Sequence, residues 1–216
     1  TDFAARRVMM VDTQVRPSDV TKFPIIDAML RVPREVFVPD AQREAAYADE
    51  ILPVGGGRMM LDARTLAKML DVLDITNDEL VMDIGGGLGY SAAVLARMAQ
   101  AVILVEEDEE LADEAQELLS QTGADNAVVH KGALTAGAAE HGPYDVILLQ
   151  GGVEELPATV TDQLKEGGRI ACIFMSGKLG ELRVGHKAGG DISWRLAFNA
   201  AAPILKGFEK AREFAL

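Results

Sequence analysis

The spacing of apolar residues changes character near residue 78. Before it, apolar side chains recur at the three- and four-residue intervals of amphipathic helices: Ile25, Ile26, Met29 and Leu30 in one stretch, Leu66, Met69, Leu70 and Leu73 in another. Pro33, Pro39 and Pro53 separate these helices, together with Gly55-Gly56-Gly57, which reads as a flexible break. After it, short continuously apolar runs alternate with longer amphipathic ones. Residues 80–84, 101–105, 127–129, 146–149 and 169–174 predict strands, and residues 91–98, 109–119 and 158–164 predict helices. Strands that are apolar on both faces must be covered on both, so this alternation predicts a Rossmann-like, doubly wound α/β sheet, mainly parallel. Beyond Ser176 the pattern weakens, but residues 180–184 and 192–197, with Gly189-Gly190 between them, predict an antiparallel pair closing the sheet. The expected organisation is an N-terminal helical extension, residues 1–77, packed on a core of residues 78–216. The two would form one structural domain, since 216 residues are too few for two ordinary ones.

The most informative short run is Asp83-Ile84-Gly85-Gly86-Gly87-Leu88-Gly89. Asp83 closes a predicted strand, Gly85, Gly87 and Gly89 follow at alternate positions, and a predicted helix comes next. Glycine at such a turn lets the backbone approach a ligand closely, and a helix start offers unpaired N–H groups. A dinucleotide fingerprint places its third glycine, or an alanine, three residues after the second, and that position holds Tyr90. A NAD-dependent oxidoreductase is therefore disfavoured, and a cofactor without a pyrophosphate fits better. Asp83 points to S-adenosylmethionine, because a carboxylate there binds the ammonium of a methionine moiety directly or through water. Seventeen residues beyond Gly89, Glu106 closes the next apolar run, where a carboxylate accepts both hydroxyls of a ribose. The plainer alternative for Glu106 is a solvated first-turn residue like Glu107 and Asp108. The candidate cofactor set is thus Asp83, Gly85, Gly87, Gly89 and Glu106.

Composition narrows the functions further. Apolar residues make up 49% and charged ones 25%, as in an ordinary globular chain. The formal net charge of −13 opposes nucleic-acid binding, which needs a basic face to displace counterions. Cys172 is the single cysteine, so no internal disulfide forms, and its apolar surroundings, residues 170–174, read as core. With only His130, His141 and His186 beside it, no Cys/His spacing suggests a metal, and none is expected. No apolar run approaches the roughly 20 residues of a membrane helix, and the charged start is unlike a signal peptide, so the cytoplasm is the expected location. The acidic run Glu107-Asp108-Glu109-Glu110 suits the positive end of the helix it opens.

Five stretches carry a family likeness: Arg31-Val32-Pro33-Arg34-Glu35-Val36-Phe37-Val38-Pro39; Tyr47-Ala48-Asp49-Glu50 with Leu52-Pro53-Val54-Gly55; the glycine loop; Tyr144-Asp145-Val146-Ile147; and Asp162-Gln163-Leu164-Lys165-Glu166-Gly167-Gly168-Arg169. Through them the chain resembles the protein-L-isoaspartate O-methyltransferase family along nearly its whole length. The resemblance implies a class I methyltransferase core, preceded by helices that help form the substrate site. It also implies methyl transfer from S-adenosylmethionine to the α-carboxylate of isoaspartyl residues in damaged proteins.

Departures qualify that expectation. After the glycine-ended loop the family carries a Gln-Thr-Ile-Ser stretch at the substrate site; here Arg58-Met59-Met60-Leu61 stands there, with Met59 at the threonine position and Leu61 at the serine position. Leucine neither donates to nor accepts from a carboxylate. The family's adenine-binding aspartate corresponds to Ala133 in Gly132-Ala133-Leu134, a loss of about 1–3 kcal/mol of cofactor affinity. Met59, Met60, Met9 and Met10 read as gap-filling core or a lid, and Arg58 and Arg64 as solvated arginines or attractors of a carboxylate. Two functions follow. One is an isoaspartyl-type carboxyl methyltransferase with activity reduced or lost; the other is a catalytically silent module that binds the cofactor or a partner protein.

Overall fold

The computed structural model describes residues 1–212. Helix α1 (Phe3–Met10) is capped by the Asp2 carboxylate, which accepts the Ala5 N–H at 3.0 Å, and it runs on through Val11–Val15 into a turn at Arg16–Ser18. Helix α2 (Phe23–Arg31) and helix α3 (Ala63–Leu73) lie where the helical periodicity places them, and both bury the periodic residues, Leu30 only in part. Between them the chain forms a hairpin, β1 (Leu52–Gly55) with β2 (Arg58–Met60), paired Leu52 to Met60. Gly55, Gly56 and Gly57 all have positive φ and make its turn. The glycine run is thus a defined connection and not the flexible break expected from composition, because three successive left-handed residues close a tight hairpin that other residues resist.

The seven-stranded sheet has the order β5-β4-β3-β6-β7-β8-β9. Its strands are β3 (Leu80–Ile84), β4 (Ala101–Glu106), β5 (Ala127–Lys131), β6 (Tyr144–Val153), β7 (Leu164–Ser176), β8 (Leu179–Ala188) and β9 (Asp191–Asn199). The first five run parallel, and β8 and β9 add antiparallel, as the two weaker runs suggested. The connections between them carry α4 (Tyr90–Ala96), α5 (Glu109–Gln121) and α6 (Ala158–Thr161). Asp108 caps α5 by accepting the Leu111 N–H at 2.9 Å, so the acidic run opens that helix as expected.

Successive residues of β3 face opposite sides of the sheet, and each side has its own core. Val81 joins Met10, Ile25, Met29, Leu66, Leu95 and Leu119, so the N-terminal helices, α3, α4 and α5 cover one face. Met82 and Ile84 join Leu134, Tyr144, Val160 and Phe208 on the other, which is covered by short helical turns, α6 and the segment after β9. The helix expected over 158–164 is only Ala158–Thr161, because Leu164 already pairs with Tyr144 as the start of β7. Gly167, at φ +79°, sits where the pairing jumps from Tyr144–Leu164 to Val146–Arg169, so the glycines bulge the strand instead of preceding it. Cys172 is fully buried. No helix among the described residues is long and apolar enough to cross a membrane.

Candidate functional site

The chain leaves β3 to form β4 on one side and returns to form β6 on the other, so the carboxyl end of β3 is the switch point where ligands bind in open α/β sheets. There Gly85, Gly87 and Gly89 adopt φ of +77°, +62° and +105°, and α4 starts at Tyr90. A side chain at Gly87 would lie 2.9 Å from Val54 of the hairpin, so close approach as well as backbone conformation requires glycine. All five expected cofactor residues therefore meet at one place.

Asp83 is fully buried beneath this loop. Its Oδ2 accepts from the Ser91 hydroxyl at 2.5 Å and its Oδ1 from the Gln150 amide at 2.9 Å. Burial pushes its carboxyl up to about 6; the Ser91 and Gln150 hydrogen bonds oppose the shift, and the nearby Glu106 charge adds to it. Ser91 and Gln150 escaped the sequence reading. Gln150 left a signal, as the lone amide in the apolar run Val146-Ile147-Leu148-Leu149-Gln150.

Glu106 is also fully buried, which overturns the solvated alternative. Its Oε2 accepts the Gly87 N–H at 3.1 Å, tying the strand end to the loop. The same carboxylate is held by Arg58 of β2, whose Nη2 lies 2.6 Å from Oε1 and whose Nε reaches both oxygens at 3.2 and 3.1 Å. Arg58 is 4% exposed, so neither a solvated arginine nor one waiting for an acceptor describes it. Arg58 and Met60 share the buried face of β2 while Met59 alternates to the other, so the hairpin turn delivers the guanidinium into the sheet end.

A second group occupies the same space. After β9 the chain crosses the carboxyl end of β6: Gly152 donates to Pro203 O at 2.8 Å, Leu205 donates back to Gly152 O at 2.9 Å, and Glu154 donates to Phe208 O at 2.8 Å. This seats Leu205 against two glycines, its methyl groups 3.1 Å from where a Cβ of Gly85 would lie and 2.8 Å from that of Gly151. The cavities left beside the loop are about 10 Å³ each, one bounded by Met59, Leu61, Gly86 and Gln150, the other by Gly57, Gly151 and Leu205. Each suits about one water, whereas a drug-sized ligand takes roughly 300 Å³ or more. The donor set thus fits S-adenosylmethionine, with carboxylates for an ammonium and a ribose and glycines for close approach. Arg58 and Leu205 occupy the space between these residues, and beside Arg58 a larger cavity of about 260 Å³ opens between Gly57, Glu107, Asp108 and Lys206.

On the acceptor side, Leu61 is buried and its carbonyl accepts from Arg34 Nη2 at 2.9 Å. Arg34 also donates to Ala46 O at 2.6 Å and stands 4.8 Å above the Tyr90 ring, and Phe37 packs on the same ring. The Pro33-Arg34-Glu35 run therefore clamps the hairpin to the first turn of α4. Met60 and Met10 are buried, but Met9 is 63% exposed and forms no part of the core. Arg64 donates to Ser18 Oγ at 3.1 Å on the exposed surface. Ala133 follows Gly132, whose N–H is bound by Glu106 O at 3.1 Å; its methyl group offers an adenine no acceptor.

Comparison with known proteins agrees with this geometry. Residues 7–193 match the family described as protein-L-isoaspartate(D-aspartate) O-methyltransferase. A protein-L-isoaspartate O-methyltransferase of Syntrophus aciditrophicus is 39% identical over 168 residues, 78% of this chain and 77% of that one. Its counterpart from Roseiflexus castenholzii is 35% identical over 190 residues, 88% of this chain and 86% of that one. Among solved structures, a protein-L-isoaspartate O-methyltransferase superposes with a TM-score of 0.83 at 25% identity, over 93% of this chain and 66% of the other. A Plasmodium falciparum structure assigned to the same family, in complex with S-adenosyl-L-homocysteine, superposes with a TM-score of 0.80 at 19% identity, over 95% and 99%.

Proposed function

The chain belongs to the protein-L-isoaspartate(D-aspartate) O-methyltransferase family, and from that membership we propose that it is an S-adenosylmethionine-dependent methyltransferase of isoaspartyl-type carboxylates in damaged proteins, working at a reduced rate. The observation that carries this reading is the pair of buried carboxylates, Asp83 and Glu106, on neighbouring strand ends around a glycine turn of left-handed residues. Asp83 would hold the methionine ammonium, and Glu106 the ribose hydroxyls. When bound, the cofactor supplies an electrophilic methyl group. The acceptor carboxylate is its own nucleophile, so alignment matters more than acid-base machinery. The wall of Met59, Met60 and Leu61 is apolar, and it gives the acceptor carboxylate no side-chain donor, which is the physical basis of the reduced rate.

One observation favours a second reading, a catalytically silent member: the Arg58 guanidinium already neutralises Glu106. Calorimetric titration with S-adenosylhomocysteine, followed by methyl transfer to an isoaspartyl peptide, separates the two. Saturable binding with slow but measurable transfer supports the enzyme. Binding without transfer, or no binding at millimolar ligand, supports the silent member.

A further inference from the structure

We propose that His130, Glu140 and His141 form a binding site for a borderline divalent transition-metal cation of the Zn²⁺ type, separate from the Asp83 and Glu106 carboxylates. The chain has three histidines, and two of them converge on one carboxylate oxygen. His130 Nδ1 lies 3.0 Å from Glu140 Oε1 and His141 Nε2 lies 3.4 Å from the same atom. The three ligand atoms all lie within 4.8 Å of one another, and the two rings meet edge-on, centroids 5.5 Å apart at 81°. With metal–ligand bonds of about 2.0–2.1 Å, tetrahedral geometry sets ligand atoms about 3.3 Å apart. Two of the three separations, 3.0 and 3.4 Å, lie within about 0.3 Å of that value, and the third is at most 4.8 Å, within reach of an imidazole rotation.

The ligands stand on braced backbone. His130 lies in β5, opposite Val105 of β4. Glu140 and His141 occupy a helical turn (Ala139–His141) that begins beside Ala138, whose N–H is bound by Gln163 Oε1 at 3.0 Å and whose carbonyl is bound by the Tyr144 hydroxyl at 2.6 Å. Gln163 Nε2 also donates to Ala136 O at 2.8 Å. Such bracing keeps the two halves of the site in register before a metal arrives. Two imidazoles and one carboxylate leave the fourth tetrahedral position to water, and this donor set selects Zn²⁺, Co²⁺, Ni²⁺ or Cu²⁺ over the oxygen-seeking Mg²⁺ and Ca²⁺. The spacing His130, Glu140, His141 has no sequence signature, which is why no metal was expected; the bend between β5 and β6 creates the cluster.

The test is calorimetric titration of the whole chain with Zn²⁺ alone, in a non-coordinating buffer at about pH 7.5, with Co²⁺ absorption as a spectroscopic companion. One equivalent binding in the micromolar range, with the visible bands of four-coordinate Co²⁺, is expected. His130→Ala and His141→Ala should each weaken binding by more than about a hundredfold, beyond what the loss of an outer-sphere partner costs, while His186→Ala leaves it unchanged. Circular dichroism on each variant separates loss of a ligand from loss of fold. No saturable binding by the wild type, or equal binding by folded His130→Ala and His141→Ala variants, overturns the proposal.

Discussion

Replacing Arg58 by alanine tests the central feature of the cofactor site. The guanidinium is 4% exposed and Glu106 is fully buried, so the substitution leaves a carboxylate in the interior with only the Gly87 and Glu107 N–H groups as partners. Breaking one side of a buried pair costs about 3–5 kcal/mol, because the survivor keeps its desolvation penalty and loses its attraction. In a chain of this size that lowers the melting temperature by about 6–20 °C. The double variant Arg58→Met with Glu106→Gln should recover most of the loss, since a neutral pair removes penalty and attraction together. Binding should move the other way. With the guanidinium gone, ribose hydroxyls are the natural partners of Glu106, so S-adenosylhomocysteine should bind Arg58→Ala at least tenfold more tightly than wild type, about 1.4 kcal/mol. At a hundred times its dissociation constant the ligand would return about 2.7 kcal/mol of stability. Urea unfolding and calorimetry measure the two effects. An Arg58→Ala protein with wild-type stability and wild-type affinity would show that the pair neither supports the fold nor competes with a ligand.

Three further outcomes follow from the same site. Burial raises the Asp83 carboxyl to about 6 from an ordinary 3.8, so its contribution to stability is fully present below 3.8 and is lost as pH rises through 6; Asp83→Asn should remove a fall of about 3 kcal/mol between those limits and be the more stable protein at pH 7.5, and parallel pH–stability curves for the two proteins would refute this. Glu106→Gln should weaken S-adenosylhomocysteine binding by about 1–3 kcal/mol, the cost of charged hydrogen bonds to a ribose; unchanged calorimetric affinity would leave Glu106 as a structural partner of Arg58 alone. Restoring polar groups with Met59→Thr, Leu61→Ser and Ala133→Asp together should raise cofactor affinity and the rate of methyl transfer to an isoaspartyl peptide, whereas full wild-type activity on that peptide would mean that Leu61 and Ala133 matter less than their chemistry suggests.

Much of this molecule is written in local pattern. The continuously apolar runs at β3, β4 and β6 required burial on both faces, and the acidic run at Asp108 required a helix start; neither depends on distant residues. The glycine turn after Asp83 was equally legible, because a left-handed backbone beside a strand end is a demand that short sequence can meet by itself. The hairpin of β1 and β2 was missed for the converse reason: strands of four and three residues are too short for a period to emerge.

What the sequence determined by itself is the frame of the site: which strand ends carry Asp83 and Glu106, and which turn carries the glycines. What the tertiary structure decided is who meets whom. Arg58 reaches Glu106 across 48 residues of chain, Leu205 settles on Gly85 and Gly151 because a segment after the last strand recrosses β6, and His130 meets His141 because the intervening turn folds back. Periodicity reports how one segment faces its surroundings. Pairing a buried charge or filling a cavity depends on the relative placement of segments far apart in sequence, and that placement is fixed only when sheet register and core packing are satisfied together.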